Sequence, residues 1–271
     1  MMRAYVEGIG LLGPGLPGWE QSRAVLTGEA AYVASPAVLT ASPLLPPAER
    51  RRSVPTVKLA MAVGAEALAQ AGRDAATVAT VFTSSSGDPD TLHQILDSLA
   101  SEERNISPTR FHNSVHNAPA GYWSIATRCR EPSTSLSAHD ESFQTGLLEA
   151  AAEVSSDGWT VTLIAYDLPY PEPLSKVRPI AGAFGMALVL TPRPTGRCLA
   201  SLDIELSRGN EPVSRLVDTG LEALRTGNPT ARSLPLLAAL ARVGAGGAPE
   251  SVVLDLPPGG RVAIRVGAPC R

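Results

Sequence analysis

The side chains with chemistry to offer are concentrated between positions 84 and 141. All four histidines fall there: His93, His112, His116 and His139. His112 and His116 are four apart, the spacing at which one helix presents two imidazoles to a zinc ion. Asn113, however, follows His112 where a zinc-binding helix would carry its glutamate. Asn113 and Asn117 each follow a histidine, a pattern that suits satisfaction of buried loop backbone better than metal binding. Ser84-Ser85-Ser86-Gly87 could hold a nucleophile, but no GxSxG frame surrounds it. Small residues where a strand passes into a helix are the expectation.

The most informative stretch is PSTSLSAHDESFQTGLLEAAAE, residues 132–153. A strand of small residues turns sharply at Ala138–Asp140 into an apolar helix. Such a turn places one side chain at a helix N-terminus, where aligned N–H dipoles favour an anion. An acyl-transfer enzyme would want cysteine or serine there, because the dipole stabilises a thiolate. This chain offers His139, Asp140 and Glu141 instead. Two readings follow: Asp140 caps the helix, or the three side chains work as a general acid and base on a thioester.

Alternating strands and helices must position these residues, which favours an α/β architecture. Arg3–Glu7 reads as a first strand. Gly8-x-Gly10-x-x-Gly13 after it superficially matches a dinucleotide fingerprint, but Pro14, Gly15, Pro17 and Gly18 occupy the start of the required helix. A structural turn is expected. Residues 30–54 read as surface loop with short helical pieces. PTVKLAMAVGAEALAQAG, residues 55–72, predicts a largely buried helix opened by Pro55 and closed by Gly72. Strands are predicted at 77–83, 134–138, 159–166, 186–191, 198–206, 251–255 and 261–266. Helices are predicted after Asp88 or Asp90, at 118–127, 141–153, near 212–225 and near 232–242. Leu92, Ile95, Leu96 and Leu99 share one face of the first of these. Pro257-Pro258-Gly259-Gly260 supplies a hairpin turn.

Composition narrows the function. The chain has 271 residues, of which 44% are hydrophobic and 18% charged, enough apolar material for a sizeable core. Its 23 basic and 26 acidic side chains leave −3, and Arg50-Arg51-Arg52 is its densest basic run. That run is too short to track a phosphate backbone and reads as a solvated helix start, so nucleic acid is not an expected partner. No stretch is apolar enough for a signal peptide or a membrane span. Cys129, Cys198 and Cys270 are scattered, which fits a reducing cytoplasm and provides no metal framework.

The same residues carry a family resemblance. MRAYVEGIGLLGPGLPGW is similar to the opening strand and turn of ketosynthases of the thiolase-like superfamily. RRSVPTVKLAMAVGAEALAQAG resembles their first long helix, and RPIAGAFGMALVLT the strand that returns to the core. FHNSVHNAPAGYWSIATRCREPSTSLSAHDES resembles the run through the dimer-interface helix into the nucleophile elbow. More narrowly, SPTRFHNSVHNAPAGYWSIAT with AYDLPYPEPL resembles the short ketosynthase-like chain length factors of aryl-polyene and xanthomonadin-type pathways. The resemblance implies a truncated thiolase-like α/β layered fold. Residues 1–195 would form the ketoacyl-synthase-like region, and a reduced region, 196–271, would pack on it as one globular unit.

Departures from the family set the functional expectation. Aligned through Pro132-Ser133, the elbow cysteine falls at Asp140, or at His139 if the register slips by one. No cysteine lies at the elbow and no histidine follows His139, so the nucleophile and both second-half histidines of a ketosynthase are missing. Ketosynthase turnover by this chain alone is therefore not expected. The resemblance implies a non-catalytic chain-length-factor subunit in polyketide or fatty-acid-like elongation. It would form a heterodimer with a cysteine-bearing ketosynthase and bind no cofactor itself, meeting the phosphopantetheine arm of an acyl carrier protein through the partner. Interface and tunnel candidates are Phe111, His112, Asn113, His116, Asn117, Tyr122, Trp123 and Phe143, the aromatic ones equally readable as plain core. The rival readings are an acyl-carrier-protein-thioester enzyme using His139, Asp140 and Glu141, and a homodimeric scaffold.

Overall fold

Strand β1 (Met2–Leu12) is the spine of the protein. The computed structural model describes residues 1–269, so Cys270 lies outside the described residues. The other strands are β2 (Ala79–Thr83), β3 (Ser133–Leu136), β4 (Val161–Asp167), β5 (Phe184–Thr191), β6 (Ala200–Ser207), β7 (Glu250–Leu256) and β8 (Gly260–Gly267). They form one sheet in the order β3-β2-β4-β5-β1-β6-β8-β7. β2 pairs in parallel with β3 and β4; every other neighbouring pair is antiparallel. The C-terminal strands thus extend the N-terminal sheet through the β1–β6 ladder, which joins Met2 to Ile204 and Val6 to Ala200.

Helices cover the sheet in two layers. One face carries α3 (Pro55–Ala71) and α6 (Ala118–Thr127), with α4 (Pro89–Ala100) and α5 (Pro108–Ser114) beside them; α2 (Pro47–Arg52) precedes α3. The other carries α1 (Trp19–Thr27), α7 (Ser142–Ala152), α8 (Thr219–Gly227) and α9 (Leu234–Gly244). Two apolar cores lie between sheet and helices. Phe143, Leu147, Leu163 and Leu237 belong to one, and Leu59, Phe82, Trp123 and Tyr166 to the other.

The expected glycine turn comes only at Gly13, whose amide and carbonyl pair with those of Leu16, while Gly8 and Gly10 lie within the first strand. β1 continues through Gly8 and Gly10 after a register shift between Val6 and Gly8, and α3 crosses it there at backbone distance. A Cβ on Gly8 would meet the Ala67 carbonyl oxygen, and one on Gly10 the Val63 carbonyl oxygen. Past Val6, β6 no longer pairs with β1, and α3 completes that edge instead. Gln70 Oε1 accepts from the Ile9 amide at 2.7 Å, while Glu66 accepts from the amides of Leu11 and Trp19 at 2.8 and 2.6 Å. Burial pushes the Glu66 carboxyl up, against the downward pull of these two backbone hydrogen bonds.

α3 matches its prediction, with Pro55 in the first turn and Gly72 left-handed at φ 61°. Asp88, not Asp90, caps α4 by accepting from the Thr91 amide. Other boundaries differ. Arg50–Arg52 end α2 rather than start a helix, which places three cations at the negative pole of its dipole. The helix expected near 212 begins only at Thr219, where Asp218 accepts from the amides of Gly220 and Leu221. The segment before it runs along β7 instead: Ser214 N donates to the Val253 carbonyl at 2.8 Å, and Val253 N to Ser214 Oγ at 2.9 Å. Gln144 Nε2 donates to the next outward carbonyl, that of Asp255.

Candidate functional site

The parallel strands β3, β2 and β4 end on the same side of the sheet, and the elbow lies there. After Leu136 the chain turns through His139, whose φ of 54° is left-handed. Histidine is among the non-glycine residues that enter this region more often than most. His139–Glu141 form a single 3-10 turn before α7. Ser142 Oγ locks it, accepting from the Ala138 amide at 3.0 Å and donating to the His139 carbonyl at 2.7 Å. The strained residue is therefore His139, one position before the Asp140 that the alignment puts at the cysteine.

Two arginines close over the elbow. Arg178 donates from Nη2 to Asp140 Oδ1 at 2.8 Å and from Nη1 to His139 Nε2 at 2.8 Å. A guanidinium only donates, so Nε2 accepts and the imidazole proton sits on Nδ1, 3.5 Å from Asp140 Oδ1. Arg232 donates from Nη1 to Glu141 Oε1 at 2.9 Å and from Nη2 to Asp140 Oδ2 at 3.1 Å. The guanidinium of Arg178 also lies over the Tyr170 ring, 5.8 Å from its centroid.

Asp140 consequently does not cap α7, contrary to one expectation. Both of its oxygens point to arginines, and the helix start carries no side-chain cap bond. His139, Asp140 and Glu141 do converge, but through Arg178 and Arg232. The cluster ties the loop after β4 and the turn before α9 to the elbow. Such an arrangement cross-links the chain and commits its carboxylates to charge-assisted hydrogen bonds.

A second polar cluster lies at the ends of β2 and β4. The fully buried Asp167 carboxylate accepts at Oδ1 from Ser85 N (2.8 Å), Ser85 Oγ (2.6 Å) and Ser84 Oγ (3.2 Å), and at Oδ2 from Thr230 Oγ1 (2.7 Å). Burial pushes this carboxyl up, while the hydrogen bonds from Ser85, Thr230 and Ser84 pull it down. His116 Nε2 lies 3.1 Å from the Ser84 carbonyl oxygen and donates to it. Serine, histidine and aspartate are thus neighbours with no relay between them, since His116 meets a backbone oxygen and Asp167 the hydroxyls.

The interface and tunnel candidates separate by burial. Tyr122, Trp123 and Phe143 are core side chains; Trp123 meets Phe82 edge-on with ring centroids 6.3 Å apart. Asn113 is buried between Tyr122 Oη, which donates to its Oδ1 at 2.9 Å, and the Arg52 carbonyl, which accepts from its Nδ2 at 3.0 Å. Asn113 and His116 thereby fill the backbone-satisfying role predicted for such residues. His112 turns its ring edge to Tyr122, and Asn117 is exposed at the start of α6. Phe111 is the bulky candidate in solvent, 62% exposed.

Phe111 has company. Leu92, Leu96 and Leu99 of α4, Ile106, Val115 and Ile125 are also exposed, across three consecutive helices that pack on one another. The face of α4 predicted as apolar exists, but only Ile95 on it is buried. β3, next to the β2 strand that α6 touches, forms the sheet margin, and no described strand pairs with its outer edge. Sequence reasoning singled out none of Arg178, Asp167, Thr230 and Arg232, although the first two lie inside the RPIAGAFGMALVLT and AYDLPYPEPL stretches.

Residues 19–237 match the family model for the beta-ketoacyl synthase N-terminal domain, past position 195 and into α9. The chain belongs to that family, and its layered sheet is a thiolase-like fold in shortened form. It resembles a structure of a ketosynthase (ApeO) in complex with its chain length factor (ApeC) from Xenorhabdus doucetiae, with 22% identity, 97% of this chain and 99% of that chain covered, and a TM-score of 0.72. The ishigamide ketosynthase/chain length factor matches at 14% identity, 98% and 99% coverage, and 0.72. AntDE:AntF, an acyl carrier protein in complex with its ketosynthase, matches at 12% identity, 98% and 99% coverage, and 0.74. No curated protein matches the sequence. At these identities the structural likeness concerns the fold. No described helix is long and apolar enough to cross a membrane.

Proposed function

We propose that this chain is a chain-length-factor subunit, the non-condensing half of a heterodimer with a cysteine-bearing ketosynthase. The observation that carries the reading is the exposed apolar surface of α4, α5 and α6, together with the open edge of β3. Contiguous apolar surface of this kind marks a protein interface, and an unpaired strand edge is a ready template for backbone pairing. Phe111, bulky and outward, is the side chain best placed to enter a shared tunnel and limit the length of a growing chain. The acyl carrier protein would bring its phosphopantetheine arm to the partner's cysteine. The AYDLPYPEPL and SPTRFHNSVHNAPAGYW segments favour an aryl-polyene-type product made in the cytoplasm.

The rival use of His139, Asp140 and Glu141 as acid and base is disfavoured by their commitment to Arg178 and Arg232. The deciding experiment is affinity purification of the tagged chain from its native cells, followed by native mass spectrometry. A one-to-one complex with a full-length ketosynthase is expected. A homodimer or lone monomer would overturn the reading in favour of the scaffold or the thioester enzyme.

A further inference from the structure

Two adjoining cavities, of about 290 and 210 Å³, open beside the elbow and share Thr226 and Arg232 in their walls. Arg178 lines one, Arg215 and Arg225 the other. Guanidiniums this close are normally balanced by carboxylates that hold them still, and three of the four are. Arg225 donates from Nε and Nη2 to Glu222, Arg232 from Nη1 and Nη2 to Glu141 and Asp140, and Arg178 to Asp140. Among the described residues that leaves Nη1 of Arg225 and Nε of Arg232 without a hydrogen-bond partner on fixed scaffolds. The exposed Arg215 guanidinium makes no hydrogen bond or ion pair among the described residues, and it acts through space on Glu222.

The wall also holds an unmatched acceptor. Gln144 is 1% exposed and lines the larger cavity. Its Nε2 is fixed on the Asp255 carbonyl at 3.1 Å, which sets the amide orientation and leaves Oε1 buried with no donor. An unsatisfied buried acceptor is costly, and a ligand donor would relieve that cost. Pre-set guanidinium N–H groups suit a group with several anionic oxygens better than a two-oxygen carboxylate.

We propose that this cleft binds a phosphate ester carrying a nearby hydroxyl or amide N–H. The phosphate meets Arg215, Arg225 and Arg232, and the hydrogen donor is directed to Gln144. The site stands apart from the apolar surface of α4–α6 and does not rest on the pairing proposed above. A free metabolite, as a monoester, and the arm of an acyl carrier protein, as a diester, share this chemistry.

The test is calorimetric titration of the full chain with inorganic phosphate, pantetheine 4′-phosphate and unphosphorylated pantetheine. Saturable binding of the first two is expected, with the ester tighter, and none of the third. Arg215→Ala should weaken both by about tenfold, as loss of one charge-assisted contact does. Arg215→Glu should abolish them while leaving pairing with the ketosynthase unchanged by native mass. Absence of saturable phosphate binding, or equal binding by Arg215→Glu, overturns the proposal. An ester no tighter than phosphate overturns the Gln144 role. Holo-carrier protein that binds wild type, but neither as apo-protein nor to Arg215→Glu, identifies the carrier arm as the ligand. Ester binding that holo-carrier does not displace identifies a free metabolite.

Discussion

Thr230 Oγ1 donates to Asp167 Oδ2 at 2.7 Å, joining positions 63 residues apart. Two residues later Arg232 grips the elbow. The short turn at Thr230–Ser233 is therefore bolted at one end to the tip of β4 and at the other to the start of α7. Asp167→Ala would orphan the Ser85 amide and three hydroxyls in a dry interior, at a cost of about 3–5 kcal/mol. Asp167→Asn keeps an acceptor for the amide and should cost less than half of that. Urea unfolding of the two variants checks the order.

Acidity supplies an independent test. Burial raises both the Asp167 and Glu66 carboxyls above their ordinary values of 3.8 and 4.5. Raised folded values mean that the native state holds these protons more tightly than the unfolded chain. Their stabilising contribution is complete below the unfolded values and is lost as pH rises through the folded ones. Unfolding free energy measured upward from about pH 4 should fall less steeply in Asp167→Asn than in wild type. Equal slopes would mean that folding leaves the proton affinity of Asp167 unchanged.

The outer apolar side chains separate folding from pairing. Leu96 and Ile125 are 50% and 46% exposed, so Leu96→Glu and Ile125→Glu should change chain stability by no more than about 0.5 kcal/mol. Either should nevertheless reduce recovery of a ketosynthase partner by about tenfold or more, because a charge would be buried in an apolar contact. Co-purification yield beside a thermal melt reads both quantities. Undiminished recovery would move the interface elsewhere.

Restoring a thiol should not restore condensation. In Asp140→Cys the thiol would sit between Arg178 and Arg232 with no histidine later in the chain, since none follows His139. Malonyl decarboxylation is expected to stay at background, measured as carbon dioxide release with and without the partner's own cysteine.

At the spine, Gly10→Ala would force a methyl group against the Val63 carbonyl and should cost about 1–3 kcal/mol or more. A chemical-denaturation midpoint unchanged by this substitution would contradict the close crossing of α3 over β1.

The same crossing explains a misreading of the sequence. Two glycines after a strand look like a turn, because their other use, letting a helix backbone approach, depends on α3 more than fifty residues away. α3 itself was legible, since Pro55, Gly72 and a sparsely charged interior are local signals. The apolar periodicity of α4 correctly located a face, but periodicity does not say what covers it. The elbow was recognisable from its small-residue strand and the polar triplet after it. Its clamp was not, because Arg178 and Arg232 lie 38 and 92 residues beyond Asp140 and pair with it only through the fold.

The far margin of the sheet has a consequence for assembly. Ser214 and Gln144 take up the outward backbone groups of Val253 and the Asp255 carbonyl, so the middle and end of β7 are occupied by its own chain. At the other margin, β3 is four residues long and has no described neighbour outside it. A ribbon with one covered end and one open end favours lateral joining at the open one. A partner that paired with β3 would use the open margin, and the chain's own cover on β7 would disfavour a second addition at the other.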